Sequence, residues 1–206
     1  MSVRAVFGFV AMMTLSCAPS VIGDYWGEDL VADGDYRVFV TSTTHQGHFG
    51  VSGAGGFSRA NQICQDRAQA GGLTREYQAF LGSSLSQLKD RFLGSGALYV
   101  VCGSQRLRVA PKISALWVDA QEDESILILE SPLQCDEFGN TLSPTRRVWT
   151  GSRDTGGDGV NHCYEWSVNL GGSTGVFGSA SEKNYRWIAE AGLSCSSFLS
   201  LYCISK

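Results

Sequence analysis

The stretch Val148-Trp149-Thr150-Gly151-Ser152, continued through Asn161-His162-Cys163-Tyr164-Glu165-Trp166 and closed by Cys195 and Leu201-Tyr202-Cys203, decides the fold. Tryptophans and cysteines are its anchors, and glycine-rich segments separate them. That pattern predicts a compact module of short strands and long ordered loops.

Around this stretch, 206 residues suffice for one domain with a self-sufficient core plus a leader. With 43% hydrophobic and 17% charged residues and 25 glycines, the composition is globular and loop-rich. A net charge of -4 argues against nucleic acid as a partner, because neutralising phosphates needs a basic face. No basic cluster is denser than Arg106 with Arg108, or Arg146 with Arg147.

Residues 1–17 read as an export signal: Arg4 gives a positive start, Ala5 to Leu15 is apolar, and Ser16 and Cys17 follow. The run is too short to span a bilayer. Small residue then cysteine resembles the bacterial lipoprotein cleavage site, although Thr14 stands where Leu is usual and Leu15 where a small residue is usual. Lipidation at Cys17 is therefore expected, with ordinary secretion and nearby cleavage as the alternative. Setting Cys17 aside leaves six of the seven cysteines, an even number suited to disulfides in an oxidising compartment. There is no C-x-x-C pair of the zinc-ribbon or thioredoxin kind.

Residues 18–35 carry Asp24, Glu28, Asp29, Asp33 and Asp35 and read as an acidic tether. The alternative is a terminal flap docked through Tyr25, Trp26 and Leu30. The domain proper occupies 36–206. Tyr36 to Ser42 is aromatic and β-branched, predicting the first strand, and Thr43 to Gly56 is a long glycine-rich loop. Phe57, Ala60, Cys64, Arg67 and Ala68 recur at helical spacing, so Phe57 to Ala70 is an amphipathic helix ended by Gly71 and Gly72. Strands are expected at Tyr77 to Leu81 and Leu98 to Cys102. A second helix is expected at Ser84 to Leu93, with Leu85, Leu88, Phe92 and Leu93 on one face. Between Gly103 and Arg147 only short apolar segments around Leu116 to Val118 and Ile126 to Leu129 stand out.

Two blocks carry a family resemblance. Gly56 to Leu88, with Ala60, Cys64, Ala68, Gly72, Leu73, Tyr77 and Ala79-Phe80-Leu81, resembles the first helix and following strand of endostatin, the C-terminal fragment of a basement-membrane collagen. Val148-Trp149-x-Gly151-Ser152, Cys163-x-x-Trp166, Ser194-Cys195 and Cys203-Ile204 are similar to that domain's C-terminal half. The whole looks still more like the bacterial branch of that family, secreted or lipid-anchored. The resemblance implies an α+β, C-type-lectin-like fold: two helices on a twisted, mostly antiparallel sheet with long loops, stapled by disulfides. It also implies the pairs Cys64 with Cys203 and Cys163 with Cys195. Cys102 and Cys135, which are outside the endostatin pattern, then pair by elimination.

Calcium-dependent C-type lectins use Glu-Pro-Asn or Gln-Pro-Asp followed by Trp-Asn-Asp, and neither occurs here. Asp154, Asp158 and Asn161 on one glycine-rich loop are the hard oxygens calcium prefers, yet they are three where the ion wants six or more. Endostatin holds zinc through histidines and an aspartate; here His45 and His48 lack a matched third ligand. No resident cofactor is therefore expected, with calcium or zinc as the minor reading. Heparin binding, known for endostatin, is not carried over to an acidic chain. Trp117, Trp149, Trp166 and Trp187 are expected in the core, with Tyr164 and Tyr185 exposed.

No nucleophile elbow, His-Glu-x-x-His or P-loop is present. The reading reached is a non-enzymatic recognition domain, monomeric and exported, in a bacterial envelope or secreted. It would touch the membrane only through the lipid and bind a protein or glycan. Thr43 to Gly55 and Arg153 to Asn161 are the presenting loops, with Asp154, Asp158, Asn161 and Tyr164 as candidate contacts. The rivals are a metal-dependent hydrolase using the same loops and a purely structural envelope lipoprotein.

Overall fold

The computed structural model describes residues 31–50, 55–159, 161–168 and 172–206. The export signal, Cys17 and the docking residues Tyr25, Trp26 and Leu30 lie outside them. The structure is mixed α+β with a sheet core. Its strands are β1 (Tyr36–Val40), β2 (Tyr77–Ala79), β3 (Leu98–Cys102), β4 (Gln105–Ala110), β5 (Arg147–Trp149), β6 (Thr174–Ser179), β7 (Ala191–Ser194) and β8 (Ser200–Ser205). They form one sheet in the order β4-β3-β1-β8-β5-β6-β7, with β2 also paired to β8. Five of the seven pairings are antiparallel; β1 with β3 and β5 with β8 are parallel.

The central strands are buried on both faces, and their side chains alternate between two cores. From β1, Val38 and Val40 enter one core and Phe39 the other. From β8, Tyr202 and Ile204 join the first and Leu201 and Cys203 the second; from β5, Val148 and Trp149 divide in the same way. Two-sided burial is why these strands read as continuous apolar runs instead of alternating ones. The second core is covered by helix α1 (Gly55–Ala70). The first is covered by the chain between Leu88 and Leu133, including helix α2 (Leu88–Arg91) and a 3-10 turn at Ile113–Leu116.

In α1, Ala60, Cys64 and Ala68 are fully buried along one stripe, as a 3.6-residue period requires. The helix ends in a Schellman motif, with Leu73 N–H donating to the Ala68 carbonyl (2.9 Å) and Gly72 N–H to that of Gln69 (3.0 Å), and Gly72 at φ +73°. Asn61 Oδ1 and Gln65 Oε1, one helical turn apart, accept from the amides of Ala79 and Tyr77, each at 2.9 Å. These side chains satisfy donors that β2 does not pair with a strand.

Three disulfides cross-link the layers: Cys64–Cys203, Cys102–Cys135 and Cys163–Cys195. The first ties α1 to β8, and the second ties β3 to the loop before Asp136. The expected pairing is thus the one observed.

Several expectations need correction. The second helix is a single turn, Leu88–Arg91, and not Ser84 to Leu93. Leu85 is 84% exposed and Leu93 69% exposed, so neither shares the buried face of Leu88 and Phe92. Strand β4 was not expected; its outward residues Gln105, Arg106 and Arg108 are polar because it is the edge strand, which masks its pattern. The apolar segment Ile126 to Leu129, to which the sequence assigns no element, lies outside helix and strand. Leu129 is instead buried in a loop whose amides at Ile128 and Leu129 donate to the Lys183 carbonyl.

Candidate functional site

Strand β5 delivers the chain to a tightly built corner. Gly151 has φ +58°, and a Cβ there would lie 2.4 Å from the Gly82 carbonyl oxygen and 2.5 Å from the Trp166 ring, so glycine is required. The loop then turns back on itself: Ser152 bridges Asp158, Gly156 N–H donates to the Arg153 carbonyl (3.0 Å), and Ser152 Oγ lies 3.0 Å from the Gly157 carbonyl.

Asp154 is occupied by structure. One carboxylate oxygen accepts from Thr155 N–H (2.9 Å) and the other from Ala120 N–H (3.0 Å), stapling the 117–124 loop over the 153–158 turn. Between these loops and the start of β7 lies a cleft of about 510 Å³ lined by Asp119, Glu122, Arg153, Asp154, Tyr185 and Glu190, among others. Four carboxylates face one guanidinium there, an environment suited to hydroxyl or amine donors. Asn161 belongs elsewhere. It lines a separate cleft of about 330 Å³ with His162, Tyr164 and Thr174, and its carbonyl accepts from Val176 N–H. Asp154 and Asn161 therefore do not converge on one point. Asp158 takes part in the bridge to Ser152. Among the described residues, no group of three or more His, Cys, Asp or Glu is placed to hold a metal ion.

The second cleft is bounded by an unusual turn. Cys163, Tyr164, Glu165 and Trp166 all have positive φ, from 50° to 61°, so four consecutive L-residues form one left-handed helical turn. Each such residue costs roughly 1–2 kcal/mol. Neighbours hold it: the Cys163–Cys195 bridge, the indole N–H of Trp166 on the Gly82 carbonyl (2.9 Å), and Ser84 Oγ on Glu165 Oε1 (2.5 Å). His162 Nδ1 accepts from Glu165 N–H (2.9 Å), so in the neutral ring the proton sits on Nε2. Tyr164 projects from this turn and is 69% exposed.

His45 and His48 line a third cleft, of about 240 Å³, with Gln46, Phe49, Arg59 and Phe198. His45 Nε2 is 3.0 Å from Thr43 Oγ1, and its carbonyl accepts from the Trp149 indole (2.9 Å). Burial, reinforced by the charges of Arg59 and Arg67, pushes the His45 pKa below its ordinary value. The cleft has no carboxylate in its lining.

Trp149, Trp166 and Trp187 are fully buried and Trp117 is half-buried, with its indole N–H on the Phe92 carbonyl at 3.2 Å. None of the four forms an open stacking platform. Sequence reading missed Asp119, Tyr185 and Glu190 as neighbours of Asp154. They come from separate segments: the pairing of β5 with β6 and β6 with β7 brings in Tyr185 and Glu190, and the Ala120 N–H bond to Asp154 brings in Asp119.

No family model matches this chain, and no curated protein matches it. What the geometry defines is a mixed α+β, disulfide-stapled domain with clefts at its loops. No helix of the described residues is long and apolar enough to cross a membrane.

Proposed function

We propose that this chain is an exported, non-catalytic recognition domain of C-type-lectin-like, endostatin-like fold, anchored through a lipid at Cys17, that binds a protein or glycan at its loops. The observation that carries the reading is the Asp154 staple. A carboxylate on a glycine-rich loop is committed to holding a second loop in place, so the cleft beside it is built before any ligand arrives. Preorganisation of this kind lowers the ordering cost of binding. The cleft's volume, about 510 Å³, falls within the range used for ligand sites. Its excess of carboxylates over cations, beside Tyr185, suits a ligand presenting hydroxyl or amine hydrogens to accept and a ring face to pack.

The direct test is a screen of the purified domain on glycan and extracellular-matrix arrays, with and without EDTA. Binding at micromolar concentration, weakened at least about tenfold by Tyr185→Ala or Glu190→Gln, is the expected outcome. No binding at that concentration, or binding indifferent to both substitutions, overturns the assignment of this cleft.

A further inference from the structure

On a different face, two adjoining clefts meet at one exposed ring. The first, about 460 Å³, is lined by Thr44, Ser143, Thr145, Arg146, Arg147, Phe198 and Leu199. The second is the His45–His48 cleft, which shares Thr44 and Phe198 with it and adds Arg59. Together they hold three arginines and two histidines, and neither has Asp or Glu in its lining, in a chain whose net charge is -4. Phe198, between them, is 64% exposed.

The two arginines at the start of β5 are positioned by neutral groups. Arg147 lies over the Phe177 ring at 5.1 Å, and Arg146 donates to Ser200 Oγ at 3.4 Å. Among the described residues, neither enters an ion pair, whereas Arg67, Arg108 and Arg186 each have a carboxylate partner. Guanidiniums fixed in a cleft, next to hydroxyls and without an internal counter-ion, attract an external anion. His45 in the second cleft is kept from protonating first by burial and then by the charges of Arg59 and of Arg67 nearby.

We propose that this double cleft binds a peptide segment in which carboxylates alternate with apolar side chains. Arg146 and Arg147 take one carboxylate and Arg59 another, while an apolar side chain packs on Phe198. Apolar surface decides for peptide over a polyanionic sugar. That surface is Phe198, 64% exposed where the clefts meet, the other apolar lining residues Leu199, Phe49 and Ile63 being buried, and a sulfated or uronic chain brings no apolar side chain to cover the ring. No lining residue is shared with the Asp154 cleft, so the inference stands or falls independently of the proposed function.

Fluorescence anisotropy with a labelled peptide of alternating Glu and Phe tests it, alongside the Gln-for-Glu peptide and a sulfated oligosaccharide. The expected result is saturable binding of the acidic peptide that weakens at least about tenfold in the double variant Arg146→Gln/Arg147→Gln and in Phe198→Ala. Arg59→Gln, on the exposed face of α1, keeps the test open should the strand variant unfold, and it too should weaken binding. Arg108→Gln, whose ion pair lies on the β4 edge, should leave binding unchanged. Absence of saturation up to about 1 mM, equal binding of the uncharged peptide, or tighter binding of the sulfated sugar overturns the proposal.

Discussion

At the scale of single residues, backbone conformation and ionisation make the sharpest demands. Tyr164 sits at φ 51°, ψ 67° with its ring largely in solvent, so its side chain gives little packing in return for a strained backbone. Tyr164→Gly should therefore raise stability by about 1 kcal/mol, seen as a higher thermal midpoint. A lower midpoint would mean that the left-handed turn does not exist in solution. His45 has the opposite kind of liability. Its pKa is lowered in the fold from the ordinary 6.5, so above that value both folded and unfolded states carry a neutral ring. As pH falls through 6.5, the unfolded chain takes up the proton first, and stability is lost until the folded ring also protonates. His45→Gln should abolish that part of the loss. Urea denaturation of both proteins from neutral pH downward should show the wild type losing stability faster below pH 6.5.

At the scale of elements, α1 is fastened to the sheet by more than its apolar stripe. Arg67, in its last turn, pairs with the fully buried carboxylate of Glu137, which also accepts from Ser42 N–H (2.9 Å) and Ser42 Oγ (2.6 Å). The Arg67 guanidinium lies 5.5 Å from the Phe138 ring centre. Removing one partner of such a pair strands a charge away from water, which costs roughly 3–5 kcal/mol. Arg67→Ala should lose that much in chemical denaturation. Glu137→Gln, which keeps an acceptor and leaves no buried anion, should lose less. Equal small losses would show the network to be solvated. Residue types alone hid this contact. Arg67 recurs on the helical stripe beside Ala60, Cys64 and Ala68, but its partner lies 70 positions away, in a turn with no periodicity to flag it. The single-turn α2 makes the complementary point: Leu85 and Leu93 satisfy helical spacing, yet no neighbouring element packs on them.

At the scale of the whole molecule, one sheet separates two cores, and the disulfides close loops of very different length. Cys64–Cys203 spans 139 residues and Cys102–Cys135 only 33. In the chain-entropy account, these loops correspond to about 5 and about 4 kcal/mol. The double variant Cys64→Ala/Cys203→Ala should thus be destabilised more than Cys102→Ala/Cys135→Ala in guanidinium unfolding. The gap should widen because Cys64 and Cys203 are fully buried within the α1-side core, while Cys102 is partly exposed. The reverse order would place the main restraint at the β3 side. Since β1, β5 and β8 contribute to both cores, wild-type unfolding should be a single transition by tryptophan fluorescence and by far-ultraviolet circular dichroism.

Local chemistry was enough to read the first strand, the long helix with its glycine stop, β3, the burial of Trp149, Trp166 and Trp187, and the resemblance that paired the cysteines. Each is a signal carried by neighbours in sequence: β-branching, a 3.6-residue period, a terminal glycine, an aromatic beside a cysteine. Tertiary structure alone decided where charge and cavity lie. It committed Asp154 to a backbone staple and sent Asn161 to a different cleft. It turned Cys163 to Trp166 left-handed against their intrinsic preference, and gathered Arg59, Arg146, Arg147 and Phe198 around one surface. The physical reason is range. A propensity acts over one or two turns of chain, whereas a cleft is the space left among segments that only sheet pairing and disulfides bring together.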